Sequence, residues 1–293
     1  MAAGDSFDTT NLANMIPELW AEPIYKFFFA NMKLRGSVSD YSAMVKNQGD
    51  TIHIPKIARK AAVTKTGSTA LSYTGDSVEG KVDLTIGTHK AVPMLFDDIA
   101  LIQSNSELLS KYAKMAGESL ARTVEDDLWA ELDGFQTTVD LSANNTFAAA
   151  DLESVLSSLY GQDIDPNGCS LVMNNQLIAD FMNPSSGVAS YFVRADAVGA
   201  GNNGNLATGA VGLIYGMDVF YSRSISSSGT DGTKVGACYP KEACVFAASQ
   251  DIRVQSQYDV DYLGTKVVAD VIYGAKLIDE SGHTMGLNLT NLG

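Results

Sequence analysis

Two stretches of the sequence have the glycine spacing of nucleotide-binding loops, but the residues around the glycines do not fit that chemistry. Residues 75–81 carry the glycines and lysine of a phosphate-binding loop, yet Val82 stands where a hydroxyl for Mg²⁺ is required. Gly199, Gly201 and Gly204 reproduce the G-x-G-x-x-G spacing of dinucleotide-binding folds, although a flexible Gly- and Asn-rich loop accounts for them better. A nucleotide-binding enzyme that uses the 199–204 loop is therefore kept as the alternative function.

A third stretch, residues 163–168, copies the first half of a calcium-binding loop. The position that needs a bidentate glutamate holds Asn174, so an Asp-Pro-Asn-Gly turn is the simpler explanation. The histidines, His53, His89 and His283, have no spacing typical of a metal or catalytic site, and no G-x-S-x-G motif is present. The sequence therefore predicts no catalytic residue, no metal site and no cofactor.

Composition limits the class of partner. The chain has 293 residues, a net charge of -14 and a pI near 4.5, which argues against sequence-reading contacts with nucleic acid. The odd count of cysteines, with no C-x-x-C pair, predicts small buried core residues at Cys169, Cys238 and Cys244. No run approaches the roughly 20 apolar residues of a membrane helix, so no membrane partner is expected.

A long helix is predicted between Ser104 and Gly134, and it is the element around which the other elements are arranged. Ser104 and Glu107 form a capping box, and Gly134 provides a left-handed stop. At 1.5 Å per residue this helix would span roughly 40 Å, so it needs a sheet or several partners along one face. The apolar stripe, widened by Leu108, Met115 and Trp129, comprises Leu109, Ala113, Ala116, Leu120, Val124 and Leu128.

Two further segments precede that helix. Residues 16–32, IPELWAEPIYKFFFANM, are too aromatic for a free tail and should dock on the chain's own body or on a neighbour. Alternating residues predict a long β-hairpin between about Thr51 and Lys90, with Pro55 placing its strand at an edge. A two-stranded hairpin is marginal alone in water, so it should lie across another surface.

The hairpin and the helix carry opposite charge. Five cations against one acid give residues 46–66 a net charge of +4, whereas nine acids against three cations give residues 97–133 a net charge of -6. The two could be complementary surfaces of successive copies, or simply two solvated faces. On the first interpretation, the candidate contact residues are Lys56, Arg59, Lys60 and Lys65 on the hairpin and Glu125, Asp126 and Glu131 on the helix.

The remainder of the chain mixes helices and strands in an order that predicts an α+β fold. A terminal hairpin with a well-defined buried face is expected from Ile252 to Tyr273. The other predicted elements are helices at 151–160 and 175–182, strands at 170–173 and through Val219 and Tyr221 after a turn at Gly216, loops at 199–209 and 224–233, and a short helix at 240–246.

The order of these segments resembles the major capsid proteins of tailed bacteriophages, with the Hong Kong 97-like fold. The segments that carry the resemblance are IPELWAEPIYKFFF, GDTIHIP, HKAVPMLFDDIALIQSN, GLIYGMDVFYSRSI and QYDVDYLGTKVVADVIYGAKLI. The resemblance implies an N-terminal arm and docking segment at 1–48, an extended hairpin loop at 49–92, a peripheral domain with its spine helix at 93–139, an axial domain at 140–248, and peripheral return strands at 249–293.

The resemblance also implies function. Copies of the chain would form hexamers and pentamers that pack into an icosahedral shell around double-stranded DNA, without sequence-specific binding and without enzymatic activity. Portal and scaffolding proteins, and in some relatives a decoration protein, would be further partners. The protein would be assembled in the host cytoplasm and would end in the virion capsid.

Overall fold

The computed structural model describes residues 24, 26–28, 32–45, 50–56, 62–68, 70, 80–97, 106–141, 147–182, 210–226, 232–278 and 285–291. Its helices are α1 (Ser42–Val45), α2 (Ser106–Leu132), α3 (Ala149–Gly161) and α4 (Asn175–Met182), with 3-10 turns at Leu34–Ser37 and Lys241–Ala243. Its strands are β1 (Ser39–Asp40), β2 (Thr51–Lys56), β3 (Gly80–Thr85), β4 (Thr88–Asp97), β5 (Thr138–Asp140), β6 (Cys169–Met173), β7 (Ala210–Ile214), β8 (Met217–Tyr221), β9 (Lys234–Pro240), β10 (Cys244–Asp259), β11 (Gly264–Leu277) and β12 (Leu287–Thr290).

A four-stranded sheet in the order β1-β10-β11-β4 supports the long helix α2. The terminal hairpin β10–β11 is antiparallel, as predicted, with bulges between Ala248 and Arg253. One face of β11, formed by Val267, Ala269, Val271 and Tyr273, joins the same hydrophobic cluster as α2. Every second residue of β11 therefore packs against every third or fourth residue of α2 in one apolar layer.

The predicted stripe of α2 is buried where its side chains are described. Ala113, Ala116, Leu120, Val124 and Leu128 are all at most 1% exposed. Met115 was expected to widen the stripe, and that expectation is wrong, because its side chain is 53% exposed on the opposite face. The predicted cap at Ser104 lies outside the described residues.

The second large sheet has six strands in the order β5-β12-β9-β6-β8-β7. The predicted helices α3 and α4 and the predicted strand β6 are all present. Side chains of β6 alternate between two clusters, with Val172 facing α2 and Leu171 facing α3. Because both faces of this sheet are covered, β6 is a continuous apolar run rather than an alternating one.

The N-terminal segment joins these layers together. Ile24 and Phe28, which belong to the predicted docking segment, are buried against α2 in the cluster that also contains Tyr239 of β9. The side-chain hydroxyls of Ser37 and Tyr239 lie 2.7 Å apart. β1 then pairs in parallel with the start of β10. The described part of the docking segment therefore packs on its own subunit.

Three sequence expectations about strands are corrected by the structure. The return strand of the first hairpin ends at Thr85, and residues 88–97 form β4, which pairs with β11 instead. The short helix expected at 240–246 is a 3-10 turn followed directly by β10, because Cys244 to Ala248 alternate in an extended ladder. The last strand, β12, joins the six-stranded sheet and does not return to the four-stranded one.

Candidate assembly surface

Glu125 was expected on an acidic outer face of α2, and the structure places it inside the subunit. Its carboxylate accepts hydrogen bonds from the backbone N–H of Lys33 at 2.5 Å and of Leu34 at 3.1 Å. Burial raises the pKa of Glu125, although these two hydrogen bonds act in the opposite direction. The prediction that Glu125 belongs to an inter-subunit surface is wrong, because its carboxylate binds backbone N–H groups at the start of the first 3-10 turn of its own subunit.

Other acids of α2 also bind groups of their own subunit. Asp127 accepts a hydrogen bond from the Tyr273 hydroxyl at 2.6 Å and lies 3.4 Å from the Lys90 ammonium. Glu131 is half-buried and lies 3.6 Å from the Lys276 ammonium. Two of the acids counted along α2 are therefore paired with lysines of the four-stranded sheet beneath it.

Asp126 is the predicted contact acid that remains on the outer face. Its side chain is exposed, and none of the described cations forms an ion pair with it. Its charge also raises the pKa of the adjacent Glu125. Of the three acids expected at the contact, one is therefore exposed, one is half-buried and one is inside the subunit.

The hairpin β2–β3 is attached to the body at its base. Leu84 and Ile86 are buried with Val45, Val245 and Ala247, which fixes the base against the start of β10. Beyond the paired strands, all of residues 62–68 are exposed. The described residues beyond the paired strands are therefore not covered by the body of their own subunit.

The cations of the hairpin are described only in part. Lys65 is exposed and donates only to the Gly67 carbonyl at 3.4 Å, with no ion pair among the described residues. The side chains of Lys56, Arg59 and Lys60 lie outside the described part of the structure. On the paired strands, Asp83 accepts from His53 at 2.5 Å and lies 3.2 Å from Lys81, so charge there is balanced.

The family model for phage capsid proteins matches residues 81–284, which is most of the chain. This chain belongs to the phage capsid protein family. It is a major capsid protein, a structural protein of the virion capsid. No curated protein sequence matches it.

Solved capsid structures share the fold of this capsid protein. The capsid of Ralstonia phage GP4 has a TM-score of 0.66 at 11% identity, covering 88% of this chain and 87% of that chain. The capsid of a native GTA particle has a TM-score of 0.65 at 15% identity, covering 90% and 91%. A chain from Mycobacterium phage Che8 has a TM-score of 0.62 at 20% identity, covering 89% and 90%. The predicted α+β capsid fold is confirmed, and the Hong Kong 97-like assignment agrees with these matches.

The near-motifs of the sequence have structural explanations in this capsid protein where they are described. Asp165 accepts a hydrogen bond from the Asn167 backbone N–H at 2.9 Å, which is the turn expected there. Asn174 caps α4 by accepting from Leu177 N–H at 2.9 Å, so its side chain is not free for a cation. Within the described residues, no group of three potential metal ligands occurs. Residues 75–79 and 199–204 lie outside that part.

The cysteines of the capsid protein are buried thiols, as predicted. Burial raises the pKa of Cys169 to about 11, and the nearby Asp165 charge contributes. Burial likewise raises the pKa of Cys244 to about 12. Thiols that keep their proton at neutral pH are poor nucleophiles, which fits a packing role. Among the described helices, none has the length and apolar character needed to cross a bilayer.

One polar cluster was not foreseen from the sequence. Asp270 of β11 is 3% exposed and accepts from Arg253 of β10 at 2.7 and 3.1 Å and from His89 of β4 at 2.9 Å. Burial opposes its ionisation, but these hydrogen bonds outweigh burial and lower the pKa of Asp270. The cluster ties three strands together on the sheet face opposite α2, and only the strand register brings its members into contact.

Proposed function

We propose that this capsid protein assembles as hexamers and pentamers into an icosahedral shell that encloses double-stranded DNA. Family membership supports a shell, and the similar solved structures include capsids of a phage and of a GTA particle. The net charge of -14 favours enclosing DNA over tight binding to it, because like charges repel. A catalytic role is not part of this proposal.

The protruding hairpin is the observation that carries the proposal. Its strands pair only with each other, its base packs on the body, and the described tip residues 62–68 are exposed. A two-stranded hairpin gains little stability in water, so we expect the part beyond its packed base to be held by a surface outside the subunit. In a shell of identical copies, that surface belongs to the next subunit.

Negative-stain electron microscopy of the purified protein tests this function. We expect hollow, closed particles of uniform diameter, because heterologous contacts that include both five- and six-fold rings close into a shell. A monodisperse small oligomer under all assembly conditions would contradict the proposal. Nucleic acid would be extracted from particles isolated from infected cells, and its digestion by nucleases of known specificity would show whether it is double-stranded DNA.

We further propose that the hairpin of one copy contacts α2 of its neighbour through opposite charges. The acids that can take part are Asp126 and the half-buried Glu131, and the cations are Lys56, Arg59, Lys60 and Lys65. Charge complementarity of this kind fixes register and suppresses wrong pairings more than it adds affinity. The contact is therefore expected to govern how efficiently correct particles form.

A charge swap tests that contact. Arg59→Glu with Lys60→Glu should give a folded subunit that forms fewer closed particles, because like charges then meet at the contact. Adding Asp126→Lys should restore assembly, whereas Glu153→Lys, which changes an exposed acid of α3, should not. Particle yield is measured by sedimentation and microscopy. Normal assembly of the Arg59/Lys60 variant would contradict the proposed contact between opposite charges, but it would not contradict the proposal that the protein forms a shell.

The remaining assignments are proposals of the same kind. We propose that residues 1–48, 49–92, 93–139 and 140–248 serve as arm, extended loop, spine-helix domain and axial domain, with β12 added to the axial sheet. Portal, scaffolding and decoration proteins are proposed partners. Assembly is proposed to occur in the host cytoplasm. Pull-down from infected cells with the tagged protein would test each partner.

A further inference from the structure

We propose that a basic groove beside α2 binds phosphate groups of the enclosed double-stranded DNA, with Arg122 and Arg223 as the binding residues. This inference rests on the proposed function, which supplies the DNA. The groove has a volume of about 340 Å³. Its lining residues are Met115, Glu118, Ser119, Arg122, Glu125 and Arg223.

The groove is formed by one face of α2 and by the chain that follows β8. Met115, Ser119 and Arg122 are spaced by three or four residues, so they share one face of the helix, and all three are exposed. Arg223, which is also exposed, follows the end of β8 at Tyr221 by two residues. The fold therefore brings two guanidinium groups that are distant in sequence to the same groove.

A third cation, Lys33, lies at the edge of the groove. Its backbone N–H donates to Glu125, which is one of the lining residues. Its ammonium lies 5.2 Å from the ring centroid of Tyr221, two residues before Arg223. Burial raises the pKa of Glu125, whereas the nearby Lys33 charge acts in the opposite direction. Lys33 therefore adds to the positive potential of the groove.

The acids around the groove do not neutralise its arginines. Neither Arg122 nor Arg223 forms an ion pair within the part of the chain that the structure describes. Glu118 instead lies 3.8 Å from the Lys114 ammonium, and the buried Glu125 accepts two backbone N–H groups. The chain has 34 acids but only 20 lysines and arginines, so two arginines without an acidic partner are unexpected in it. Clustered cations of this kind are typical of a phosphate-binding surface.

The lining favours DNA over a segment of another protein. Met115 is the only apolar residue among those that line the groove, so a peptide would bury little apolar surface there. Surfaces that bind DNA are instead polar and positively charged. Guanidinium groups bind phosphate oxygens in a bidentate way, and the Ser119 hydroxyl can donate a further hydrogen bond. Contacts to phosphate carry no sequence information, so the groove would accept DNA of any sequence.

The salt dependence of DNA binding tests the proposal. Fluorescence anisotropy of a labelled random-sequence duplex is measured with the purified, unassembled full-length protein in excess. Each phosphate contact contributes about 0.9 to the slope of log affinity against log salt concentration. Arg122→Ala with Arg223→Ala should therefore lower that slope by about 2. Between about 50 and 200 mM salt, the affinity of this variant should fall by roughly tenfold less than that of the original protein.

Two further variants control for charge and for folding. Lys241→Ala with Lys276→Ala removes two exposed cations elsewhere on the subunit, and it should leave the slope unchanged. Asp126→Asn removes an exposed acid one helical turn after Arg122 and should strengthen DNA binding. Because this substitution predicts a gain, a loss of folding cannot imitate its effect.

Three outcomes would overturn the inference. An unchanged salt slope in the arginine variant would show that DNA does not use the groove. Loss of particle formation with unchanged DNA binding would assign the groove to a neighbouring copy. Calorimetric binding of inorganic phosphate without binding of the duplex would show a small-anion site only. Failure of the original protein to form particles would contradict the proposed shell instead, because the DNA measurement uses unassembled subunits.

Discussion

The structural roles of several side chains in this capsid protein cannot be inferred from their residue type alone. Glu125 and Asp126 are adjacent acids, yet one binds the backbone at the start of a 3-10 turn inside the subunit and the other faces outward. Neighbours on a helix point in different directions, so two identical charges can have unrelated roles. The carboxylate of Glu125 satisfies two backbone donors, one buried and one part-buried, that would otherwise lack this partner.

Glu125→Ala should destabilise the subunit by about 1–3 kcal/mol, because it leaves the buried N–H of Leu34 and the part-buried N–H of Lys33 unsatisfied. Denaturant unfolding, with the slope of the transition checked against the original protein, measures the change. Asp126→Ala is the matched control and should alter stability by less than about 0.5 kcal/mol, since its side chain is exposed. Equal effects of the two substitutions would contradict the assignment.

Glu125→Gln separates charge from hydrogen bonding and gives a pH dependence with a definite sign. Burial raises the pKa of Glu125 in the folded state above its usual value of 4.5. The native protein then holds the proton of Glu125 more tightly than the unfolded chain does. The stability that this difference adds to the folded state is complete below pH 4.5 and is lost as pH rises through the folded pKa. The stability of the Gln variant relative to the original should therefore increase as pH rises from acidic to neutral.

At the scale of elements, close approach of two helical segments depends on one glycine. Gly117 lets the backbone at Ile24 and Phe28 lie against α2 at a distance that a Cβ would occupy. The first 3-10 turn then continues along the same helix towards Glu125. The N-terminal segment is therefore held at two levels of α2, once by close packing and once by hydrogen bonds.

Gly117→Ala should push the N-terminal segment away from α2 and cost about 1–3 kcal/mol, as overpacking usually does. Hydrogen exchange at residues 24–28 and thermal unfolding measure both parts of this effect. The control is Gly161→Ala at the end of α3, where an added Cβ meets nothing within 4 Å. That substitution should be neutral or stabilising by up to about 1 kcal/mol, because alanine favours helix. An unchanged Gly117→Ala variant would show that the contact has room to adjust.

Periodicity in the sequence predicted the elements but not their partners. The stripe of α2, the strand β6 and the helix α4 follow from local patterns, and the terminal hairpin from alternation. The side of α2 that would carry unpaired acids could not be predicted, because Glu125, Asp127 and Glu131 meet groups far away along the chain. β12 was missed because its four residues, LNLT, include only two apolar positions, too few for a period to be recognised.

At the scale of the whole molecule, one hydrophobic cluster connects both sheets. It contains Val267 and Tyr273 of the four-stranded sheet, Val172 and Tyr239 of the six-stranded sheet, and the buried face of α2. A smaller cluster under α3, which includes Leu159, belongs to the six-stranded sheet only. Because interiors are close-packed, loss of a side chain in the shared cluster affects elements on both sides.

Tyr239→Ala should therefore weaken the four-stranded sheet as well as the six-stranded sheet to which Tyr239 belongs. The free energy of unfolding should fall by about 3–5 kcal/mol, as for truncation of other large aromatic side chains. Hydrogen exchange of the β11 amides should accelerate together with that of β9. Leu159→Ala, at about 2–5 kcal/mol, is the comparison, and its effect should begin in the six-stranded sheet. Unchanged protection of β11 in the Tyr239 variant would indicate two independent cores.

The contacts of the N-terminal segment also determine when a subunit can be completed during translation. The Glu125 carboxylate is separated from Lys33 by 92 residues, and Ser37 is separated from its partner Tyr239 by 202. The start of the chain leaves the ribosome first, but its described contacts are complete only after β9 and the start of β10 have been synthesised. A growing chain therefore lacks a finished subunit surface until its last strands have emerged.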